Sequence, residues 1–106
     1  MKILKGPHRQ WAMGQCFYCG RETYRTTIVP QPAWAYTRDH LIPFRLRTER
    51  YNLLSHWLTT VTCCFECNNK KSGLSAQDFI QKFLTIKQRK RIPWKRIASI
   101  YRMNAQ

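Results

Sequence analysis

Two Cys-x-x-Cys pairs, Cys16 with Cys19 and Cys64 with Cys67, constrain this 106-residue chain more than any other feature in it. Each pair sets two sulfurs about one tetrahedral edge apart, so the two together supply the four corners of a structural zinc site. A chain this short forms one domain with little room for a second core, and a metal staple helps such a domain hold together. The cysteine count is five, an odd number. Met1-Lys2-Ile3-Leu4-Lys5 carries no apolar run long enough for a signal peptide, so a disulfide framework is not expected and metal ligation fits better. Cys63 falls outside the two-residue spacing and reads as a small buried apolar side chain.

Apolar residues make up 43% of the chain and aromatics 13%, enough for a small core and too many for wholesale disorder. No stretch approaches the roughly 20 apolar residues of a membrane span. The expectation is therefore a soluble, cytoplasmic protein with no membrane partner, in a bacterial host or phage-infected cell. Nineteen Lys and Arg against five Asp and Glu give a formal charge of +14. Four thiolates around one dication would subtract two units, leaving about +12, which still calls for a polyanion. DNA is the expected partner, with RNA not excluded; the oligomeric state is left open.

Residues 1–15 read as a basic N-terminal arm, with Lys2, Lys5 and Arg9 around Pro7 and Trp11. Cys16-Phe17-Tyr18-Cys19-Gly20 is a knuckle in which Gly20 is free to take the positive φ of a tight turn. β-Branched residues predict a strand over 23–29, which Pro30 and Pro32 break. Alternation of Trp34, Tyr36 and Arg38 against Ala35, Thr37 and Asp39 predicts a second strand over 33–40, paired with the first like a hairpin. Asp39 and His40 then point to opposite faces unless the strand ends there. Beyond Pro43, Thr48 is placed to cap a short helix carrying Tyr51, Leu54 and Leu58. Residues 59–62 are strand-like and enter the second knuckle, after which a helix starts over 68–72 and is interrupted at Gly73. Ser75 and Asp78 resemble a capping box before a helix whose stripe is Phe79, Phe83 and Ile86, with Ile80 and Leu84, ended by the basic run 87–91. Pro93 opens a final helix with Trp94, Ile97, Ala98 and Tyr101 on one side. Trp34, Trp57, Phe79 and Phe83 read as core, and Trp11 and Trp94 as base-stacking candidates. His8 and His56 lack a ligand-spaced partner and are assigned surface or packing roles.

Knuckle, two strands, a returning strand and a second knuckle entering a helix is the order of a treble-clef zinc module. At Asp39-His40-Leu41-Ile42-Pro43 and Cys64-Phe65-Glu66-Cys67-Asn68-Asn69-Lys70-Lys71 the chain resembles the HNH endonucleases, also called ββα-metal or His-Me finger nucleases. The resemblance covers about residues 16–73 and implies an α+β fold: a small treble-clef or ββα-metal zinc module at 16–73, with a basic helical extension of the same domain at 74–106. It also implies that Cys16, Cys19, Cys64 and Cys67 hold structural Zn²⁺, that His40 is the general base, and that Asp39 and Asn68 ligate a catalytic Mg²⁺ or Mn²⁺. Lys71 falls where the family often has a basic residue near the phosphate.

The residue types suit that chemistry in their own right. Phosphodiester hydrolysis needs a deprotonated water, a stabiliser for the phosphoryl charge and help for the departing oxygen. An imidazole takes the proton near neutral pH, and a hard cation on oxygen ligands does the rest. The chain departs from the family pattern at Thr59, which stands where the family has a middle Asn that orients the general base; a hydroxyl lacks the paired donor and acceptor of an amide. Asn52 can substitute only if its loop folds back. Residues 44–58 also replace a Gly-rich loop with a bulkier basic and aromatic stretch. The expected function is a metal-dependent DNA endonuclease that nicks or cuts duplex DNA. The alternative is a non-catalytic, zinc-stabilised nucleic-acid-binding protein on the same scaffold. Arg45, Arg47, Lys70, Lys71, Arg89, Lys90, Arg91, Lys95 and Arg96 are the expected backbone contacts.

Overall fold

In the computed structural model, residues 9–105 are described. They form an α+β domain with two small antiparallel sheets. Of the basic arm, Lys2 and Lys5 lie outside the described residues. Its remainder is a single turn at Arg9–Trp11 followed by strand β1, Ala12–Gln15. β1 pairs with β2, Glu22–Tyr24, across the first Cys-x-x-Cys turn. Gly20 closes that turn at φ +84°, as its position after Cys19 predicts.

The second sheet is β3, Tyr36–His40, against β4, Thr60–Cys64, in a register that sets His40 opposite Thr60 and Tyr36 opposite Cys64. This corrects the expected hairpin of 23–29 with 33–40. The first of those strands stops at Tyr24 and meets the second only through an isolated bridge to Ala35. Thr27, Ile28 and Val29 are exposed, so β propensity without a partner or a core to cover does not make a strand there.

Between β3 and β4, after a 3₁₀ turn at Phe44–Leu46, the chain folds two α-helical turns where the sequence predicts one helix. α1, Glu49–Asn52, is capped by Thr48, and α2, His56–Thr59, by Ser55. A second capping serine ends the first helix early because it satisfies the amides of a new one. α3, Phe65–Lys71, begins earlier than expected, immediately after β4, because Cys64 serves as its N-cap. Ser72, at φ +46°, stops it before Gly73 is reached.

Ser75 caps α4, Ala76–Phe83, through the Asp78 amide as predicted. The stripe does not continue to Ile86. Thr85 and Gln88 form a capping box that opens a separate helix, α5, Ile86–Lys90, on which Ile86 is 69% exposed. α6, Trp94–Ala105, follows Pro93 and buries Ile97 and Ile100; Ala98 faces solvent, and Trp94 is exposed.

One continuous core joins these elements, with Tyr18, Leu41, Val61, Phe79, Ile80 and Ile100 at its centre. Phe79 is core as expected, and its ring packs edge-on to Tyr18 at 5.0 Å. Phe83 and Trp57 are largely exposed and correct the expectation that they pack inside. No helix among the described residues is long and apolar enough to cross a membrane.

Candidate metal centre and cleft

The four paired cysteines converge. Their sulfurs all lie within 4.8 Å of one another, and Cys19 Sγ is 3.8 Å from Cys64 Sγ. A tetrahedron with Zn–S bonds of about 2.3 Å has edges of about 3.8 Å, so the donor set fits a structural ion such as zinc. Short backbone hydrogen bonds shape each corner. The Gly20 amide donates to the Cys16 carbonyl at 2.9 Å, and the Cys67 amide donates to Cys64 Sγ at 3.4 Å. The Phe17 amide donates to the Thr62 carbonyl at 2.8 Å and docks the first knuckle on β4.

Without a cation the crowded sulfurs share their protons unevenly. Hydrogen bonds from Cys19, Cys63, Cys64 and Cys67 draw Cys16 far below the ordinary thiol range, while the donors Cys64 and Cys67 are pushed above it by their bonds to Cys16. A cation replaces those shared protons. Cys63 stays outside the set, fully buried as its spacing predicts. Arg21 bonds Glu66 across the two knuckles at 3.1 Å, and the Arg91 guanidinium lies over Gly20, in the space that a Cβ there would take. Both cations lie at the edge of a site that carries net negative charge once four thiolates hold one dication.

A cleft of about 330 Å³ runs past the end of β3, lined by Arg38, Asp39, His40, Arg47, Asn68 and Lys71 together with Pro43 and Phe44. β3 has a partner strand on one side only, so side chains from both of its faces reach the space beside it. Asp39 is buried against Tyr18 and Lys71, while His40 sits half-buried on the other face with its ring edge-on to His56, 5.4 Å between centroids. The cleft is where the two meet.

Asn68 is oriented by a chain of bonds that starts in the sheet. The Thr37 hydroxyl donates to the Cys63 carbonyl at 2.7 Å and accepts from Asn68 Nδ2 at 3.0 Å. The amide oxygen of Asn68 is thereby left as the acceptor available to a cation. Thr37 carried no signal in the sequence beyond its place on the strand.

Asp39 is less free than expected. The Tyr18 hydroxyl donates to Oδ2 at 2.6 Å, and Lys71 Nζ lies 3.3 Å from each carboxylate oxygen. Burial raises the Asp39 pKa above the usual carboxylate range, outweighing the pull of Lys71 and of the Tyr18 hydroxyl. Lys71 itself is 1% exposed and also donates to the His40 carbonyl, so the ammonium expected near the phosphate lines the cleft while bonded to the sheet. A buried ammonium needs acceptors, and the sheet provides them.

His40 also opens into a second hollow of about 220 Å³ with Arg47, Tyr51, Asn52, His56 and Thr59. Desolvation, then the nearby positive groups Arg47, His56 and Lys71, lower its pKa below 6.5. The Thr59 hydroxyl donates back to the Ser55 and His56 carbonyls rather than toward His40, so it does not act as the missing amide. The loop does fold back, and Asn52 and His56 line the same hollow as His40. Sequence reasoning missed His56 because its neighbour is brought by tertiary folding, not by spacing.

The expected phosphate contacts divide. Arg45 and Arg47 stand near the cleft, and Arg96 reaches the α2–β4 junction, donating to the Thr60 carbonyl at 3.1 Å. Lys70 pairs with Glu66 on α3, Arg89 to Arg91 lie on or next to α5, and Lys95 is exposed on α6. No protein-family model matches this chain, and no curated protein or solved structure matches it.

Proposed function

We propose that the domain is a metal-dependent endonuclease of the HNH type, a ββα-metal module in which four cysteines hold zinc and His40 activates water against a DNA phosphodiester. The observation that carries this reading is the single cleft shared by Asp39, His40 and Asn68 at the β3–β4–α3 junction, beside the cysteine cluster. A His40 imidazole with a lowered pKa is neutral at physiological pH and so able to take a proton from water. Asn68 contributes its free amide oxygen, and Arg47 a fixed positive charge for the phosphate. Held by Asn68 and Asp39, Mg²⁺ or Mn²⁺ would supply Lewis-acid stabilisation of the phosphoryl oxygens. The fit to that ion is partial, since Asp39 must exchange Lys71 for it.

One observation favours a second reading, a zinc-stabilised nucleic-acid-binding module without turnover: Lys71 and Tyr18 already engage both oxygens of Asp39. Incubation of supercoiled plasmid with the purified protein separates the two. Nicking that needs Mg²⁺ or Mn²⁺, stops with chelator and disappears in His40→Ala with binding retained supports the nuclease. Equal nicking by His40→Ala overturns it, and salt-sensitive binding with no cleavage under any metal supports the module.

A further inference from the structure

Two aromatic rings that the core does not use belong to this face: Phe44 lines the cleft, and Trp57 lies against Arg38, which lines it. Phe44 follows Pro43 at the cleft wall and is 80% exposed; Trp57, the residue after His56, is 68% exposed. Each ring is paired with an arginine that lines the same cleft. The Arg38 guanidinium lies 4.1 Å from the centroid of Trp57, and that of Arg47 lies 5.5 Å from the centroid of Phe44.

Both arginines are held in place by the sheet and its following loop. Arg38 donates to Thr60 Oγ1, Thr62 Oγ1 and the Thr60 carbonyl at 2.8–3.2 Å, and Arg47 Nε donates to the Ile42 carbonyl at 2.9 Å. A guanidinium resting on a ring fixes that ring in advance of any ligand, which lowers the ordering cost of binding. His40 lies on β3 with Arg38 and shares the cleft with both arginines and Phe44.

We infer that the cleft takes unpaired nucleotides, with bases stacked on Phe44 and Trp57 and the phosphates between them held by Arg38 and Arg47. The inference rests on the phosphodiesterase reading and names its substrate class. Flat apolar faces beside fixed cations match a base and its phosphate, and the formal charge of +14 selects a polyanion over an apolar protein segment as the occupant. In a duplex the base faces are already covered, so these rings could engage them only by wedging between steps and unstacking them. An unpaired strand offers its π-faces at no such cost.

The test measures affinity, not cleavage. Full-length His40→Ala protein, loaded with zinc and without added divalent ion, is titrated against a labelled oligothymidylate and a hairpin duplex of equal length by fluorescence anisotropy. Phe44→Leu and Trp57→Leu, each added to that background, are expected to weaken single-strand binding about 5- to 150-fold, the range that stacking of one base spans, while duplex binding changes by less than about twofold. Phe44→Tyr and Trp57→Phe, which keep the ring, should bind the single strand as the parent does. Unchanged single-strand affinity in both leucine variants overturns the inference, and so does an equal loss on single strand and duplex. Failure of the wild-type protein to cut DNA with any metal would instead remove the hydrolytic reading, and these affinities would still decide the stacking.

Discussion

Lys71 Nζ lies 3.3 Å from both carboxylate oxygens of Asp39, and both residues are buried. Removing one partner of such a pair leaves an uncompensated charge in the interior. Lys71→Met is expected to lower stability by about 3–5 kcal/mol near neutral pH, read from urea denaturation. The pH dependence follows from Asp39, whose folded pKa is raised by burial even with Lys71 in place. A carboxyl that binds its proton more tightly when folded contributes less to stability as pH rises from its unfolded value through its folded one. Loss of Lys71 removes a lowering influence and moves that window upward. The deficit of the variant should therefore be smaller at about pH 5 than at about pH 8, and a deficit independent of pH would contradict the pairing.

The cysteine cluster sets a second expectation. Cys67→Ser removes one corner of a site whose metal is worth about 10–16 kcal/mol in small modules, so the variant should fail to fold and to retain zinc. Cys63→Ser should keep one zinc per chain, because Cys63 lies outside the converging set. Asn68→Ala should fold and hold zinc as well, losing only its bonds to Thr37 and any contribution to a divalent ion. Zinc release monitored with a chromophoric chelator distinguishes all three.

His40 carries the pH expectation for activity. Its folded pKa lies below 6.5 because burial, and after it the neighbouring basic side chains led by Arg47, disfavour its charged form. The neutral base should thus predominate at pH 6.5 and above, with nicking falling as pH drops through the lowered value. The stability sign is the same: a depressed histidine pKa contributes stability above the unfolded value that is lost as pH falls through the folded one. An acidic limb in the nicking rate that sits above pH 6.5 would count against His40 as the base.

Asn104 on α6 ties the insert to the domain. Its Oδ1 accepts from the Thr48 amide at 2.8 Å, its Nδ2 donates to the Leu46 carbonyl at 3.0 Å, and its carbonyl accepts from the Thr48 hydroxyl at 2.6 Å. Asn104→Ala should cost about 1–2 kcal/mol and raise amide hydrogen exchange over α1, since the Thr48 amide loses its acceptor. Unchanged exchange at residues 48–52 would show that the packing of α1 on α6 suffices without these bonds.

The sequence spoke most clearly where the chemistry is local. Cysteine spacing predicts the knuckles, Gly20 predicts its own positive φ, and Thr48 and Ser75 predict the caps they form. Non-local pairing was harder. β3 chooses β4 over β2 across a long insertion, and no residue in Thr27, Ile28 or Val29 announces that it lacks a partner. The burial of Lys71 had no local signal, because its two acceptors, Asp39 and the His40 carbonyl, are far away in sequence. Trp57 looked like core because aromaticity does not reveal that Arg38 covers one of its faces at the surface. His56 and Asn52 reached the hollow beside His40 only because two capped turns replaced one helix.

Cys64 ends β4, starts α3 as its N-cap and offers one of the four clustered sulfurs. Strand, helix and cysteine cluster thereby meet at one residue. An oxidant or chelator acting at that sulfur would not merely loosen a staple: strand and helix would part together, and Asn68 would leave the cleft it shares with His40 as the domain lost its fold.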